Sequence, residues 1–272
     1  MTIPALKLND GGKIPQIGLG TWKIPDGDAA KVVADAIAAG YRLIDTASEY
    51  GNERGVGAGL RAAPAPPDGF FLTTKVWNAH QGYDRTLRAA EESLARLGRP
   101  SIDLYLIHWP APAQNLYVDT WRALIALRER GLARSIGVSN FQEAHLERII
   151  GETGVVPAVN QIELNPQLSQ RKLRAFHARH GIVTESWSPL ARGNLLLHPD
   201  IVALALKHGK NAAQIILRWH IDAGLVVIPK STSPTRLREN LALFDFSLDR
   251  DDLAVLDRLD TGRRLGPNPD TF

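Results

Sequence analysis

Short apolar runs alternate along this chain with longer stretches in which apolar positions recur every three or four residues. The short runs occupy residues 17–20, 42–45, 70–76, 104–108, 135–139, 158–163, 182–187 and 225–229, and their length predicts strands. The stretches between them, among them 29–39, 85–97, 121–130, 171–179 and 212–221, carry the 3.6-residue period of amphipathic helices. Strands that alternate strictly with helices imply a parallel sheet, and eight such units are what closes a (β/α)8 TIM barrel.

Two segments fall outside this rhythm. Residues 5–14, centred on Asn9-Asp10-Gly11-Gly12, predict a β-hairpin that caps the N-terminal end of the barrel. Residues 249–259, with Leu253, Leu256 and Leu259 at helical spacing, predict an extra C-terminal helix. The proline run from Pro64 to Pro67 is too short for a linker, so residues 1–272 are expected to form a single domain.

Composition narrows the classes. A chain of 272 residues with 44% hydrophobic and 22% charged positions is an ordinary globular protein of barrel length. Net charge is only +3, and no block of like charges stands behind the pI of about 9.2, which disfavours nucleic acid as a partner. Neither a signal peptide nor an 18-residue apolar window occurs, so a soluble, cytoplasmic protein without a membrane association is expected. Cysteine is absent, which removes disulfides, thiolate metal sites and thiol nucleophiles. The histidines offer no His-Glu-x-x-His pattern, and no metal site is expected.

Barrel chemistry belongs where strands end. Asp45 ends the second strand with Tyr50 five residues beyond, Lys75 stands near the end of the third, and His108 ends the fourth. Each has a plain structural reading: a turn cap, an amphipathic ring, a solvated strand-end lysine, a core histidine. Together they form an acid. A tyrosine is a poor proton donor unless a cation stabilises its phenolate, Lys75 can supply the cation, and Asp45 can offset that lysine's desolvation. A neutral His108 can hydrogen-bond and orient a substrate carbonyl, which suits carbonyl reduction by hydride transfer.

Gly20-Thr21-Trp22, Leu43 to Ala47 with Tyr50-Gly51-Asn52-Glu53, Thr73-Thr74-Lys75-Val76-Trp77, Asp103 to Pro110, Ile136 to Phe141, Asn160-Gln161-Ile162-Glu163 and Ile228-Pro229-Lys230-Ser231 follow one another in order, and together they resemble the motifs of the aldo-keto reductase superfamily. The stretch from Val156 to Leu164, with Leu217-Arg-Trp-His220, is especially similar to bacterial members of the 2,5-diketo-D-gluconate reductase type. The resemblance implies an NADPH-dependent reductase of a small aldehyde, ketone or diketone, usually monomeric, with Asp45, Tyr50, Lys75 and His108 as its catalytic group. It also implies a cofactor site. Ser139, Asn140 and Gln161 would hold the nicotinamide carboxamide, which both donates and accepts hydrogen bonds, and Trp187 would stack on the nicotinamide ring. Thr21, Trp22, Asp45, Ser188 and Leu190 would complete the pocket. Lys230 and Arg236 would offer two cations to a 2′-phosphate, with Ser231 and Thr232 donating hydroxyls and Glu239 and Asn240 meeting the adenine. A Rossmann domain is the competing way to bind such a cofactor, but neither Gly18-Leu-Gly20 nor Gly55-Val-Gly57 continues into its glycine fingerprint.

For the substrate, Trp22, Trp77 and Trp109 with Tyr50 and His108 are expected to line an aromatic mouth. The loops 111–119 and 192–199 and the tail 262–272 are expected to close over it. Two other classes are considered: a non-catalytic NADPH-binding regulatory subunit, and a barrel glycoside hydrolase built on Glu163 and Glu185.

Overall fold

A computed structural model describes residues 3–64 and 69–272, so most of the Pro64–Pro67 run lies outside the described residues. The hairpin forms as β1 (Ala5–Lys7) and β2 (Lys13–Pro15), paired antiparallel. Its turn works because Gly11 accepts a φ of 93°, while the Gly12 N–H donates to Asp10 Oδ1 at 3.0 Å.

The strands β3 (Leu19–Gly20), β4 (Leu43–Asp45), β5 (Phe71–Val76), β6 (Ile102–Ile107), β7 (Ala133–Ser139), β8 (Val159–Glu163), β9 (Val183–Trp187) and β10 (Val226–Val227) lie side by side in chain order, all parallel. A parallel bridge between Ile17 and Val227 joins the two outermost strands, with Gly18 N donating to Val227 O at 2.9 Å and Val227 N to Gln16 O at 3.0 Å. The sheet thus closes on itself as a (β/α)8 barrel. The eighth strand is shorter than the apolar run 225–229 predicts. Pro229 has no N–H to offer a ladder and contributes only its carbonyl, which accepts from Gly20 N.

Among the described residues ten α-helices surround the sheet: α1 (Asp26–Ala39), α2 (Glu53–Ala62), α3 (Tyr83–Leu97), α4 (Tyr117–Glu129), α5 (Glu143–Thr153), α6 (Arg171–His180), α7 (Pro199–His208), α8 (Ala212–Asp222), α9 (Pro234–Leu241) and α10 (Arg250–Asp257). The extra C-terminal helix is α10, whose Asp249 cap accepts from the Asp252 N–H while Asp252 reaches back to the Asp249 N–H. Helices α2, α5 and α7 lie outside the helical stretches named from periodicity, and two of them show why. In α2, Gly55, Gly57 and Gly59 lower helix propensity, yet they let neighbouring elements approach: a Cβ on Gly57 would stand 2.2 Å from the Leu97 carbonyl oxygen. In the β9 to β10 connection, α7 precedes α8 behind a proline at its first position.

The core has an outer and an inner part. Two clusters fill the space between helices and sheet. A third, inside the barrel, joins Leu43, Leu104, Leu106, Val159 and Val226 to Leu8 and Ile14 of the hairpin, which therefore plugs the N-terminal end. No helix among the described residues is long and apolar enough to cross a membrane.

Candidate active site

Side chains of a strand alternate faces, so residues two apart share one. On β4 the inner face carries Leu43 then Asp45; β8 carries Val159, Gln161 and Glu163; and β9 carries Val183, Glu185 and Trp187. The interior therefore changes from aliphatic to polar within one or two alternations, towards the C-terminal ends.

Lys75 is fully buried, and its ammonium donates to both carboxylate oxygens of Asp45 at 2.7 and 2.8 Å and to the Thr46 carbonyl at 3.0 Å. The Tyr50 hydroxyl lies 3.5 Å from the same nitrogen. Tyr50 comes from a single 3-10 turn, Ser48–Tyr50, which is tied to β5 by Ser48 Oγ donating to the Lys75 carbonyl at 3.0 Å. His108 follows β6 directly; its ring lies edge-on to Tyr50 and Trp77, with centroids 5.6 and 5.0 Å apart. The four candidate catalytic side chains thus meet in one place.

Their environments set their protonation. Burial works against the Lys75 ammonium, but the facing Asp45 carboxylate outweighs it and holds the amine above its usual value. Burial pushes the Tyr50 hydroxyl upward, Lys75 pulls it back, and Asp45 and Glu185 push it up again, leaving it raised. The lysine was expected to lower this tyrosine. It does act in that direction, but exclusion of water is the larger effect, so the resting residue keeps its proton. Burial, with the Lys75 charge nearby, holds His108 well below the usual histidine value, and the ring is neutral.

On the other side of the site the polar groups are already engaged with one another. Asn140 Nδ2 donates to the His108 carbonyl at 3.0 Å and to Ser139 Oγ at 3.1 Å, and its Oδ1 accepts from Trp187 Nε1 at 2.8 Å. Ser139 Oγ donates to the Gln161 carbonyl at 2.8 Å. Asn140 and Ser188 hold φ angles of 64° and 50°, a left-handed backbone that side chains seldom adopt.

A cavity of about 330 Å³ opens over this constellation. Of the expected residues it is lined by Trp22, Asp45, Tyr50, Trp77, His108, Trp109, Ser139, Asn140, Gln161, Trp187, Ser188 and Lys230. Thr21 and Leu190 do not line it. The Thr21 hydroxyl is spent on the Asp45 carbonyl at 2.9 Å, and Leu190 packs against the core. Ser231, Thr232, Arg236, Glu239 and Asn240 also lie outside the cavity, on the segment from β10 into α9, where Ser231 and Asn240 are buried and Thr232 and Arg236 exposed. The loop 111–119 does not reach the cavity either: Arg148 of α5 holds it back through Asn115 Oδ1 at 2.6 Å and the Tyr117 hydroxyl at 3.3 Å.

Arg192 and Pro267 line the cavity from the loop 192–199 and the tail 262–272, as expected, whereas sequence reasoning missed Gly20, Glu49, Pro189 and Ile228 as lining residues. Pro267 arrives because buried Glu163 accepts the Leu265 and Gly266 N–H groups at 2.7 and 2.9 Å, pulling the tail across the mouth. Only glycine fits at 266, where a Cβ would stand 2.5 Å from the Trp187 ring. The tail ends with Phe272 packed on Trp109, ring centroids 4.6 Å apart. A carboxylate at a strand end could have signalled such a clamp, but its partners lie about a hundred residues away. Neither Glu163 nor Glu185 lines the cavity, so the paired carboxylates of a glycoside hydrolase are not presented to a ligand. No cluster of metal-binding side chains occurs among the described residues.

Comparison with known proteins agrees with this arrangement. Residues 16–261 match the model of the aldo/keto reductase family. An aldo-keto reductase of Mycobacterium sp. (strain KMS) is 53% identical over 100% of this chain and 99% of its own length. Methylglyoxal reductase DkgA of Escherichia coli (strain K12) is 49% identical over 98% of this chain and 97% of its own. Among solved structures, a mutant of Gox0644 in complex with NADPH superposes with a TM-score of 0.96 at 52% identity, covering 100% of this chain and 99% of that one. The chain is an oxidoreductase that belongs to the aldo/keto reductase family.

Proposed function

We propose that this protein reduces a small aldehyde, ketone or dicarbonyl to the alcohol with NADPH, using Tyr50 as the proton donor. The observation that carries this reading is the buried Lys75 ammonium, 2.7 Å from Asp45 and 3.5 Å from the Tyr50 hydroxyl, behind a cavity that Asp45, Tyr50 and His108 line. The donor set fits the cofactor: Ser139, Asn140 and Gln161 present amide and hydroxyl groups for a carboxamide, and the Trp187 ring flanks them. NADPH supplies a hydride to the carbonyl carbon when bound. As charge develops on the substrate oxygen, Tyr50 delivers its proton there, and Lys75 stabilises the phenolate left behind while Asp45 holds the ammonium in place. His108 Nδ1 is buried with no hydrogen-bond partner among the described residues. A proton there would be unpaired, so the neutral ring carries it on Nε2, which is free to donate to the substrate oxygen.

Lys230 and Arg236 are exposed and form no ion pair among the described residues, leaving two cations for a 2′-phosphate. The cavity volume and the relatives named for methylglyoxal favour a compact dicarbonyl. We further read the protein as a cytoplasmic monomer, which sedimentation and cell fractionation check.

The test is a panel of aldehydes, ketones and diketones with NADPH and NADH. NADPH oxidation by wild type, and its loss in Tyr50→Phe with NADPH binding intact, is the expected outcome. Turnover that survives in Tyr50→Phe refutes the assignment of the acid. An NADPH-binding protein with no turnover on any carbonyl would instead be the regulatory subunit. Replacing Lys230 and Arg236 together should erase the preference for NADPH; an unchanged preference refutes their role.

A further inference from the structure

Glu185 is a buried carboxyl that the mechanism above does not use. It stands on the inner face of β9, fully shielded from solvent, and Gln161 Nε2 donates to its Oε2 at 2.9 Å. The same nitrogen donates to Asp45 Oδ2 at 2.8 Å. Both hydrogens of one amide are therefore spent on two separate carboxyl groups. Gln161 lines the cavity, and among the described hydrogen bonds its Oε1 takes none.

This has a geometric consequence. The terminal torsion of a glutamine is broad, so a single acceptor leaves the amide plane free to swing. Two acceptors, one for each hydrogen, fix the plane. Asp45 also fixes its sense, because a reversed amide would turn its oxygen towards a carboxylate that has no hydrogen to give. The only part of Gln161 left for a ligand is then an acceptor. Asn140 beside it has both amide hydrogens committed already, to the His108 carbonyl and Ser139 Oγ.

We infer that Glu185 is a positioning residue that acts through Gln161: by taking the amide's second hydrogen it aims Gln161 Oε1 at the NH2 of the nicotinamide carboxamide. This rests on the NADPH reading above. Burial, with the Asp45 carboxylate close by, pushes the Glu185 carboxyl up to about 8, so at neutral pH it is largely uncharged and does not compete with Asp45 for the Lys75 ammonium. A neutral carboxyl accepts through its carbonyl oxygen, and a glutamine at this position could accept in the same way. Charge is thus not required of residue 185, only an acceptor at that point.

The experiment measures binding of NADPH and of its 3-acetylpyridine analogue, in which a methyl group replaces the carboxamide NH2. Both are titrated into wild type, Glu185→Met and Glu185→Gln by tryptophan fluorescence. Wild type should prefer NADPH. Glu185→Met should weaken NADPH about fivefold, the scale of one net hydrogen bond, and the analogue less than about twofold. Glu185→Gln should restore NADPH affinity to within about twofold of wild type. Equal losses for both ligands in Glu185→Met, or no loss, would overturn the inference, as would failure of Glu185→Gln to restore binding. Wild type that binds no NADPH would instead refute the cofactor reading. Should Glu185→Met not fold, the amide protons of Gln161 in wild type decide by NMR: two hydrogen-bonded protons support the clamp, and one free proton overturns it.

Discussion

The two ends of the barrel interior are built on the same strands and both bury their inward-facing side chains, yet they differ in kind. At the N-terminal end Leu43, Leu104, Leu106, Val159 and Val226 pack under the hairpin's Leu8 and Ile14. Asp45, Gln161 and Glu185 stand two residues, roughly 7 Å, beyond Leu43, Val159 and Val183, with Lys75 and Ser139 beside them on β5 and β7. Leu104 and Lys75 are both fully shielded from solvent. Burial alone therefore does not separate structure from chemistry. What separates them is directionality: the lower end needs only volume, whereas every group in the upper end depends on named partners, and losing one exposes the others as unpaired.

The sharpest way to break this contrast is at Lys75. Lys75→Met should abolish turnover and lower unfolding free energy by about 3–5 kcal/mol, because Asp45 is left buried and unpaired. Asp45→Asn added to it should recover part of that stability and none of the activity. Denaturant melts with single-turnover assays check both, and stability that does not recover would mean the pair is not the source of the loss. At the other end, Leu104→Ala should cost about 2–5 kcal/mol through the cavity it leaves, while kcat per folded molecule stays within about twofold of wild type. A large fall in kcat there would show that the two ends are not separable.

Glu163 lies between these extremes, buried at the polar end but facing the tail. Glu163→Ala should cost about 1–3 kcal/mol by orphaning two N–H groups. It should also raise KM for ring-bearing substrates more than for small aldehydes, since Pro267 and Phe272 lose their anchor. Equal KM changes for both would remove the tail from the pocket's function.

The buried histidines add a dependence on pH. His108 is held well below its usual value, and burial depresses His177 to about 3 and His220 to about 4. Below the ordinary value of about 6.5 the unfolded chain takes up these protons and the folded one does not. Stability should therefore fall on acidification from about pH 6.5 to 4, by up to about 1.4 kcal/mol per pH unit for each histidine. Urea midpoints at pH 7 and 5 test this, and a flat profile would refute neutral burial.

How far the site was readable differs residue by residue. Asp45, Tyr50, Lys75 and His108 could be proposed because barrel topology sends strand ends to one face, and their chemistry is complementary. Trp77 and Trp109 followed for the same reason. Thr21 and Leu190 sit on the expected segments but do not line the cavity, because one hydroxyl is spent on the Asp45 carbonyl and the other side chain packs on the core. Helix α2 was illegible because its glycines serve neighbours, against its own propensity.

Glu163 and Glu185 mark the same boundary. As residues they offered a pair of carboxylates, and neither faces the cavity: one holds a tail segment 102 and 103 positions ahead, the other an amide 24 positions behind.

Periodicities of 2 and 3.6 are local, so the chain alone determined eight βα units, the hairpin, the terminal helix and the residue types that gather at the strand ends. Only tertiary structure decided where the barrel closes, at Ile17 and Val227, that Glu163 is what holds the tail over the cavity, and that burial outweighs Lys75 at Tyr50. Those outcomes rest on contacts between distant segments and on the exclusion of water, neither of which has a local period to read.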